Sequence, residues 1–447
     1  MAQSNTRITL PGFGLPVDTL LDWSRENNSE RFPHAIADFF ASDGVTVRER
    51  RMLDFITLIT DKPEWHRKVF DDQIVSKWKS EACRYDQTSQ DDFLSNPMFD
   101  YCMSELREKA ATYEEKGLVA VMDAEATVVK SDSAVPESLR QSLLKGVRPL
   151  EDVPDRYKDW HPGSDEEMDD REWAEEHGFG DDYRDWWEGN RVLEQPEPGS
   201  FKPLSETLQA PGARAIDLKS DFKASGLQVI FKLANIHLTP EKPEYSASNW
   251  HVEGALNEHI CATAIYYYDS ENVTDSFLGF RQSVDAEAMV MRPQQNEWSS
   301  ALEFYGIENE AATIQDLGRV LTRQGRLLAF PNVMQHQVQP FRLADPTKPG
   351  HRKILAMFLV DPHVPILSTA NVPPQRKDWW AEEVRKVDRF AALPEELFQN
   401  IIDSVEDFPF SWGEALEMRE RLMEERGRVT DDVNQAMEED TFFFCEH

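Results

Sequence analysis

LQVIFKLANIHL (227–238), CATAIYYY (261–268), SFLGFRQ (276–282), GRLLAFP (325–331) and ILAMFLV (354–360) carry the reading of the fold. Each is short, apolar and rich in β-branched or aromatic residues. Gly, Pro, Asn and Asp clusters separate them, as expected of strands. Together they make an all-β pattern of roughly 135 residues, enough for a double-sheet barrel of the jelly-roll or cupin type.

Helical patterns flank this core. Thr46 and Glu49 form a capping-box pattern before VRERRMLDFITLI. After Pro63, the spacing of Trp65, Val69, Phe70, Ile74 and Trp78 predicts one apolar helical stripe. Pro97 to Lys116 reads as a helix stopped by Gly117, and LVAVMDAEATVV (118–129) as one or two strands. Val135 to Lys145 reads as a short helix. Beyond Val372, Pro394 to Ser404 is helical, and Ser411 with Glu414 caps a helix ending near Gly427. The expected class is therefore α+β. Four regions are expected: a mainly helical 1–150, an acidic tryptophan-rich connection or lid 151–225, the β core 226–372, and C-terminal helices 373–447.

Composition narrows the partners. Among 447 residues, 82 acids against 48 bases give a net charge of −34. Such a chain repels phosphate backbones and anionic lipid surfaces, so neither nucleic acid nor membrane is an expected partner. Apolar residues at 40% suffice for a sizeable core and exclude global disorder. No apolar run approaches the ~18 residues of a membrane span. The N-terminal MAQSNTRITLPGFGLP lacks a signal-peptide pattern. Four cysteines (Cys83, Cys102, Cys261, Cys445) without a CxxC pair fit a reduced, cytoplasmic protein. Residues 151–200 hold 18 Asp/Glu against 5 Lys/Arg, with Trp160, Trp173, Trp186 and Trp187 interleaved. They read as a solvated connection pinned by its tryptophans, the alternative being a lid or a dock for a basic partner. In the tail, Phe442, Phe443 and Phe444 are expected to dock onto a core or a partner.

His251-Val252-Glu253 is the first chemical signal. On a strand, residues two apart share a face, so imidazole and carboxylate can reach one ion. Alone the triplet means little, because about two arise by chance in this composition. Its context is stronger. His336 lies in GRLLAFPNVMQHQVQP, read as an apolar strand then a polar turn. Two His and a carboxylate from distant segments make the facial triad of Fe(II) oxygenases. Sixteen residues later, Arg352 opens RKILAMFLV, where a guanidinium suits bidentate capture of a dicarboxylate such as 2-oxoglutarate. Lys353 is its rival, but Arg352 shares strand parity with Ile354, Ala356 and Phe358. His259 and His351 are the nearest rivals as ligands; His259 reads as a hydrogen-bonded core histidine, and His351 as an outer support of the site or an exposed residue. His237 and His363 read as strand-end packing, and Tyr266 and Tyr268 as packing under helices.

The order HxE, two strands, GxxxxF, HxVxP and a strand-leading Arg resembles the Fe(II)/2-oxoglutarate-dependent oxygenases, whose fold is a double-stranded β-helix. CATAIYYY is similar to the strand that follows the metal motif in prolyl hydroxylases. There Thr263 and Tyr267 match positions lining the 2-oxoglutarate C5 carboxylate. Glu253 departs from the more usual Asp. LQVIFKLANIHLTPEKPEY, WHVEGALNEHICATAIYYYDSENVT, LLAFPNVMQHQVQPFRLADPTKPGHRKILAMFLVDP and STANVPPQRKDWW further resemble a mainly fungal family, domain of unknown function 4246. With VPDRYKDWHPGSDE and VVKSDSAVPESLRQ, the likeness spans most of 35–380. The stretch Met168–Gly212 fits it poorly. The resemblance implies an oxidoreductase that uses Fe(II), 2-oxoglutarate and O₂. His251, Glu253 and His336 would hold the metal, and Arg352, Thr263 and Tyr267 the co-substrate. The substrate would be a small molecule undergoing hydroxylation, desaturation or cyclisation. Two readings stay open beside it: a cupin-type metal dioxygenase or isomerase without 2-oxoglutarate, and a non-catalytic barrel acting as a scaffold. A homo-oligomer is also left open.

Overall fold

Thr46 opens the first long helix as its capping box predicts. Its hydroxyl accepts from the Glu49 N–H, and the Glu49 carboxylate accepts back from the Thr46 N–H. The computed structural model describes residues 10–11, 14–15, 31–38, 41–83, 93–124, 126–151, 195–203, 216–285, 289, 299–372, 375–406 and 409–442. No helix among them is long and apolar enough to cross a membrane.

Helix α1 (Val47–Thr60) buries Met52, Phe55, Ile56 and Ile59. The single stripe expected after Pro63 is instead two helices, α2 (Trp65–Lys68) and α3 (Asp72–Ala82). Asp71 is the reason. Its side chain accepts from Gln73 and Ile74 N–H groups and starts a new helix. Phe70, at the joint, is left 60% exposed. Helix α4 (Asn96–Lys116) starts at the Ser95 cap and stops where Gly117 turns left-handed at φ 67°. These helices share one buried cluster with Trp65, Val69 and Trp78. Helix α5 (Glu137–Glu151) runs further than the expected Val135–Lys145. Tyr268 and Lys353 bond Glu151 at 3.0 and 2.9 Å and hold its last turn on the sheet.

Two two-residue strands, β1 (Leu10–Pro11) and β2 (Gly14–Leu15), pair with each other. The remaining strands are β3 (Ala41–Ser42), β4 (Val119–Val121), β5 (Val128–Ser131), β6 (Val229–Leu238), β7 (Glu244–Tyr245), β8 (Ile260–Glu271), β9 (Ser276–Val284), β10 (Ile314–Thr322), β11 (Leu327–Pro331), β12 (Gln335–Val338), β13 (Phe341–Arg342) and β14 (Gly350–Val360). A six-stranded antiparallel sheet runs β4-β5-β11-β8-β14-β6. A four-stranded sheet runs β10-β9-β12, with β3 on β9. The protein is thus α+β.

Strand alternation decides what faces what. Ile265 and Tyr267 of β8, Phe330 of β11 and Phe358 of β14 meet Leu278 and Phe280 of β9 and Val320 of β10 in one core. The two sheets therefore share a buried face. Tyr266 and Tyr268 point the other way and pack with Val147, Leu143 and Leu144 of α5, as expected.

Two further expectations are corrected. His336 lies within a strand, β12, not in a polar turn. Three residues between Pro331 and Gln335 carry the chain from β11 in one sheet to β12, which pairs with β9 in the other. The last helix, Trp412–Glu439, passes through Gly427 instead of ending there. An exposed helical glycine costs only about 1 kcal/mol, and tertiary bonds from Asn434 hold the distal half in place. Phe442 is fully buried with Val284, Phe304, Tyr305 and Ile307. Phe443, Phe444, Cys445 and residues 152–194 and 204–215 of the acidic tryptophan-rich region lie outside the described residues.

Candidate metal centre

A backbone bridge brings the HVE segment to β12. The His251 N–H donates to the His336 carbonyl at 3.2 Å, and the His336 N–H returns to the His251 carbonyl at 3.0 Å. Glu253 is fixed by a buried asparagine. Its N–H donates to Asn332 Oδ1 at 2.9 Å, and its carbonyl accepts from Asn332 Nδ2 at 2.8 Å. Asn332 also donates to the Ile260 carbonyl at 3.0 Å.

The three side chains converge. Nε2 of His336 is 3.6 Å, and Nε2 of His251 3.8 Å, from Glu253 Oε1. One ligand atom from each residue lies within 4.8 Å of the others, so the three could hold a metal ion. His251 Nδ1 sits 2.8 Å from the Asn249 carbonyl. A carbonyl only accepts, so Nδ1 carries the proton and the Nε2 lone pair faces the centre. His336 is buried, its ring edge-on to Phe330 at 4.9 Å. Burial alone would raise the Glu253 carboxyl, but the two imidazoles beside it hold it well below its usual range. Burial likewise works against a charged His251, yet Glu253 overcomes it and raises that imidazole. His336 is lowered, by burial and then by the charge of His251. An ionised carboxylate beside imidazole nitrogens is the donor set a divalent ion takes.

Arg352 is 3% exposed on the inner face of β14. Its guanidinium lies 4.7 Å over the Tyr267 ring and 5.4 Å from that of Phe341. Arg352 Nε and Nη1, the Tyr267 hydroxyl and the Thr263 hydroxyl are all buried without a hydrogen-bond partner. The structure thus brings Arg352 and Tyr267 together. It does not bring Thr263 to them. Thr263 is four residues back along β8, roughly 13 Å, paired with Phe330 and so on the side of the triad. Lys353 is excluded as the clamp, because it points outward to Glu151 and Asp269. His351 bonds Asp269 at 2.9 Å, and His237 lies 6.0 Å from the His351 ring. His363 bonds Asp361. His259 is buried as expected, but its Nε2 has no hydrogen-bond partner; burial pushes its pKa down to about 4.

Residues 96–171 and 166–383 match the model of the family described as protein of unknown function (DUF4246), and 10–81 match the model of its N-terminal domain. The chain belongs to the DUF4246 family. No curated protein matches it. Among solved structures, an Fe(II)/(alpha)ketoglutarate-dependent dioxygenase, TqaL, aligns at 15% identity and a TM-score of 0.20, over 37% of this chain and 52% of that one. A bsmA homolog from Methylobium petroleophilum PM1 aligns at 16% and 0.19, over 36% and 55%. The DUF4246 chain therefore spans about half the length of either structure, and at these scores neither likeness bears on its chemistry.

Three asparagines of the DUF4246 chain escaped the sequence reading: Asn249, Asn332 and Asn434. No pattern marks them, since each acts across a long sequence separation or on backbone alone. Asn434, on the C-terminal helix, donates to the Trp250 carbonyl at 2.9 Å and accepts from Gln335 Nε2 at 2.9 Å and Arg281 Nη2 at 3.3 Å. Trp250 and Gln335 directly precede the two histidines. Arg281 completes the brace, bonding Gln335 at 2.6 Å and lying 4.8 Å over the Trp250 ring. Asn434→Ala is expected to weaken divalent-metal binding about tenfold, because outer supports of a metal site are worth 10–100-fold. Isothermal titration with Fe(II) under argon measures it, and an unchanged affinity would remove Asn434 from the site.

Proposed function

We propose that this protein is an Fe(II)- and 2-oxoglutarate-dependent oxygenase whose two facing sheets form a double-stranded β-helix, spanning about 226–372. The observation that carries the reading is a pair of coincident features. A His-Glu-His donor set converges on one point, and along the same core lie a buried guanidinium whose Nε and Nη1 are unbonded and a buried phenol whose hydroxyl is unbonded. Buried polar atoms left unpaired are costly, and they persist where a ligand completes them. A carboxylate offers two acceptor oxygens and a charge, which is what Arg352 and Tyr267 lack. The residues therefore fit both the metal and the co-substrate.

In this reading His251, Glu253 and His336 hold the iron, and Arg352 with Tyr267 holds the C5 carboxylate of 2-oxoglutarate. Thr263 lines the stretch between clamp and triad. Bound together, iron and 2-oxoglutarate would supply O₂-dependent oxidation of an unactivated C–H bond, with release of succinate and CO₂. The chain's own work is positional. Asn249 fixes the His251 tautomer, Asn332 fixes the Glu253 backbone, and Phe280, Leu328 and Phe330 keep the interior dry. We extend the proposal to a small-molecule substrate that is hydroxylated, desaturated or cyclised. The unbonded Nε and Nη1 of the buried Arg352 disfavour a cupin-type enzyme without 2-oxoglutarate, and the intact donor set disfavours a scaffold.

Anaerobic titration of metal-free protein with Fe(II) and then 2-oxoglutarate tests the reading. A weak visible charge-transfer band is expected only when both are present. Iron that binds without any band on adding 2-oxoglutarate would overturn the co-substrate, and no iron binding would overturn the whole proposal.

A further inference from the structure

A cavity of about 210 Å³ lies between α1, α4 and the four-stranded sheet. None of His251, Glu253 and His336 lines it. Val45, Leu53 and Ile56 give it an apolar wall. Gln282 of β9 also lines it, is 3% exposed, and has neither its amide oxygen nor its amide nitrogen hydrogen-bonded.

The neighbour of Gln282 shows that this vacancy is not a general property of the sheet. Gln315 stands directly opposite in register and is equally buried. Its amide is fully used: Oε1 accepts from the Val45 N–H at 2.8 Å, and Nε2 donates to the Val45 and Tyr305 carbonyls at 2.6 and 3.0 Å. A buried amide with both ends free asks for a group that both donates and accepts, and another amide matches it with one donor and one acceptor held in a plane.

The remaining lining sets the charge. Glu49, Glu105 and Asp123 border the cavity beside the Tyr101 ring. Lys109 neutralises part of this, pairing with Glu105 at 2.7 Å and Asp123 at 3.2 Å. Burial, with Glu105 and Glu49 nearby, raises the Tyr101 hydroxyl above its usual range, in keeping with a negative surround. An apolar wall, a free amide and a surplus of carboxylates together select a cation on an apolar skeleton that also bears an amide.

We infer that this cavity binds a small apolar amino amide, its amide paired with Gln282, its carbon skeleton against Val45, Leu53 and Ile56, and its ammonium beside Glu105 and Asp123. The chemistry is shared by a free amino-acid amide and the first residue of a peptide.

The probe is leucinamide, titrated calorimetrically into the full chain. Two controls each remove one element: N-acetylleucinamide lacks the cation, and 3-methylbutylamine lacks the amide. Leucinamide is expected to bind at least about tenfold more tightly than either, each lost charge or amide pair being worth that much. Gln282→Leu should bind leucinamide no better than 3-methylbutylamine, and Glu105→Gln should weaken leucinamide while leaving N-acetylleucinamide unchanged. Gln282→Leu keeps the side-chain volume, and its melting curve reports whether it is folded; Glu105→Gln, at the rim, tests the site independently. Leucylglycinamide binding as tightly as leucinamide would support a peptide N-terminus as the source, and its exclusion a free amino amide. No saturable binding of leucinamide by about 10 mM, or equal binding to wild type and Gln282→Leu, would overturn the inference.

Discussion

Arg352→Met is expected to weaken 2-oxoglutarate binding about 100-fold or more while leaving Fe(II) affinity within a few-fold. The guanidinium is 3% exposed, and Nε and Nη1 have no protein partner. Removing one member of a buried, hydrogen-bonded charge pair costs about 2–5 kcal/mol. A factor of 100 in affinity corresponds to about 2.7 kcal/mol, near the low end of that range. The metal ligands come from other segments, so the same change spares iron. The variant carries a second expectation of opposite sign. In the ligand-free protein Arg352 is a buried cation with the Tyr267 and Phe341 rings beside it and two unbonded nitrogens, and methionine fills much the same space without that charge. The melting temperature of ligand-free Arg352→Met should therefore rise while its co-substrate affinity falls. Titration and thermal unfolding on one preparation read both. A variant that binds 2-oxoglutarate normally, or that unfolds earlier, would recast Arg352 as a structural residue.

That opposition of stability and binding also explains what the sequence could and could not reveal. Parity on a strand is a local property, so the inward placement of Thr263, Tyr267 and Arg352 and the outward placement of Tyr266, Tyr268 and Lys353 were legible from spacing. The distance from Thr263 to Arg352 was not, because the register of β8 on β14 includes a shift between Lys353 and Ile354. Helix starts were legible where a side chain caps its own backbone, at Thr46 and Ser411. Helix ends were less so. The extra turns of α5 and of the Trp412–Glu439 helix rest on Glu151 and Asn434, whose partners are more than 90 residues away. Strand β10, IQDLGRVLT, carries a buried Gln315 and a glycine with φ 102°, and its sequence shows no clear strand pattern. Its polar inner residue is intelligible only once Val45 and Tyr305 are seen to satisfy it.

Arg326 is the clearest case of a residue that only the fold explains, and Arg326→Leu is expected to be the most destabilising of these substitutions. Its side chain is fully buried. It bonds Asp132 through Nε at 2.7 Å and Nη2 at 2.9 Å, and reaches Asp61 through Nη1 at 2.6 Å and the Leu321 carbonyl at 2.9 Å. Asp61 ends α1 and also bonds Lys130 of β5 at 2.7 Å, while Arg323 bonds the outer side of Asp132. One guanidinium thus joins the N-terminal helices to β5 and to the turn before β11, and the Arg326 backbone carbonyl accepts from the Tyr267 N–H. Breaking a buried pair from one side costs about 3–5 kcal/mol. Because Asp132 is a third exposed and keeps Arg323, the lower end, about 3 kcal/mol, is expected in urea unfolding at pH 7. The pH dependence follows from Asp132. Burial would raise its carboxyl, but hydrogen bonds from Arg326 and then Arg323 hold it far below the usual carboxylate range. A carboxyl depressed in the folded state stabilises above its unfolded pKa, near 4, and that contribution fades as pH falls through the folded value. The gap between wild type and Arg326→Leu should therefore be widest at neutral pH and narrow progressively below about pH 4. A gap under about 1 kcal/mol at pH 7, or one that widens in acid, would mean that the Arg326 pairs add little to what already holds the helices to the sheet.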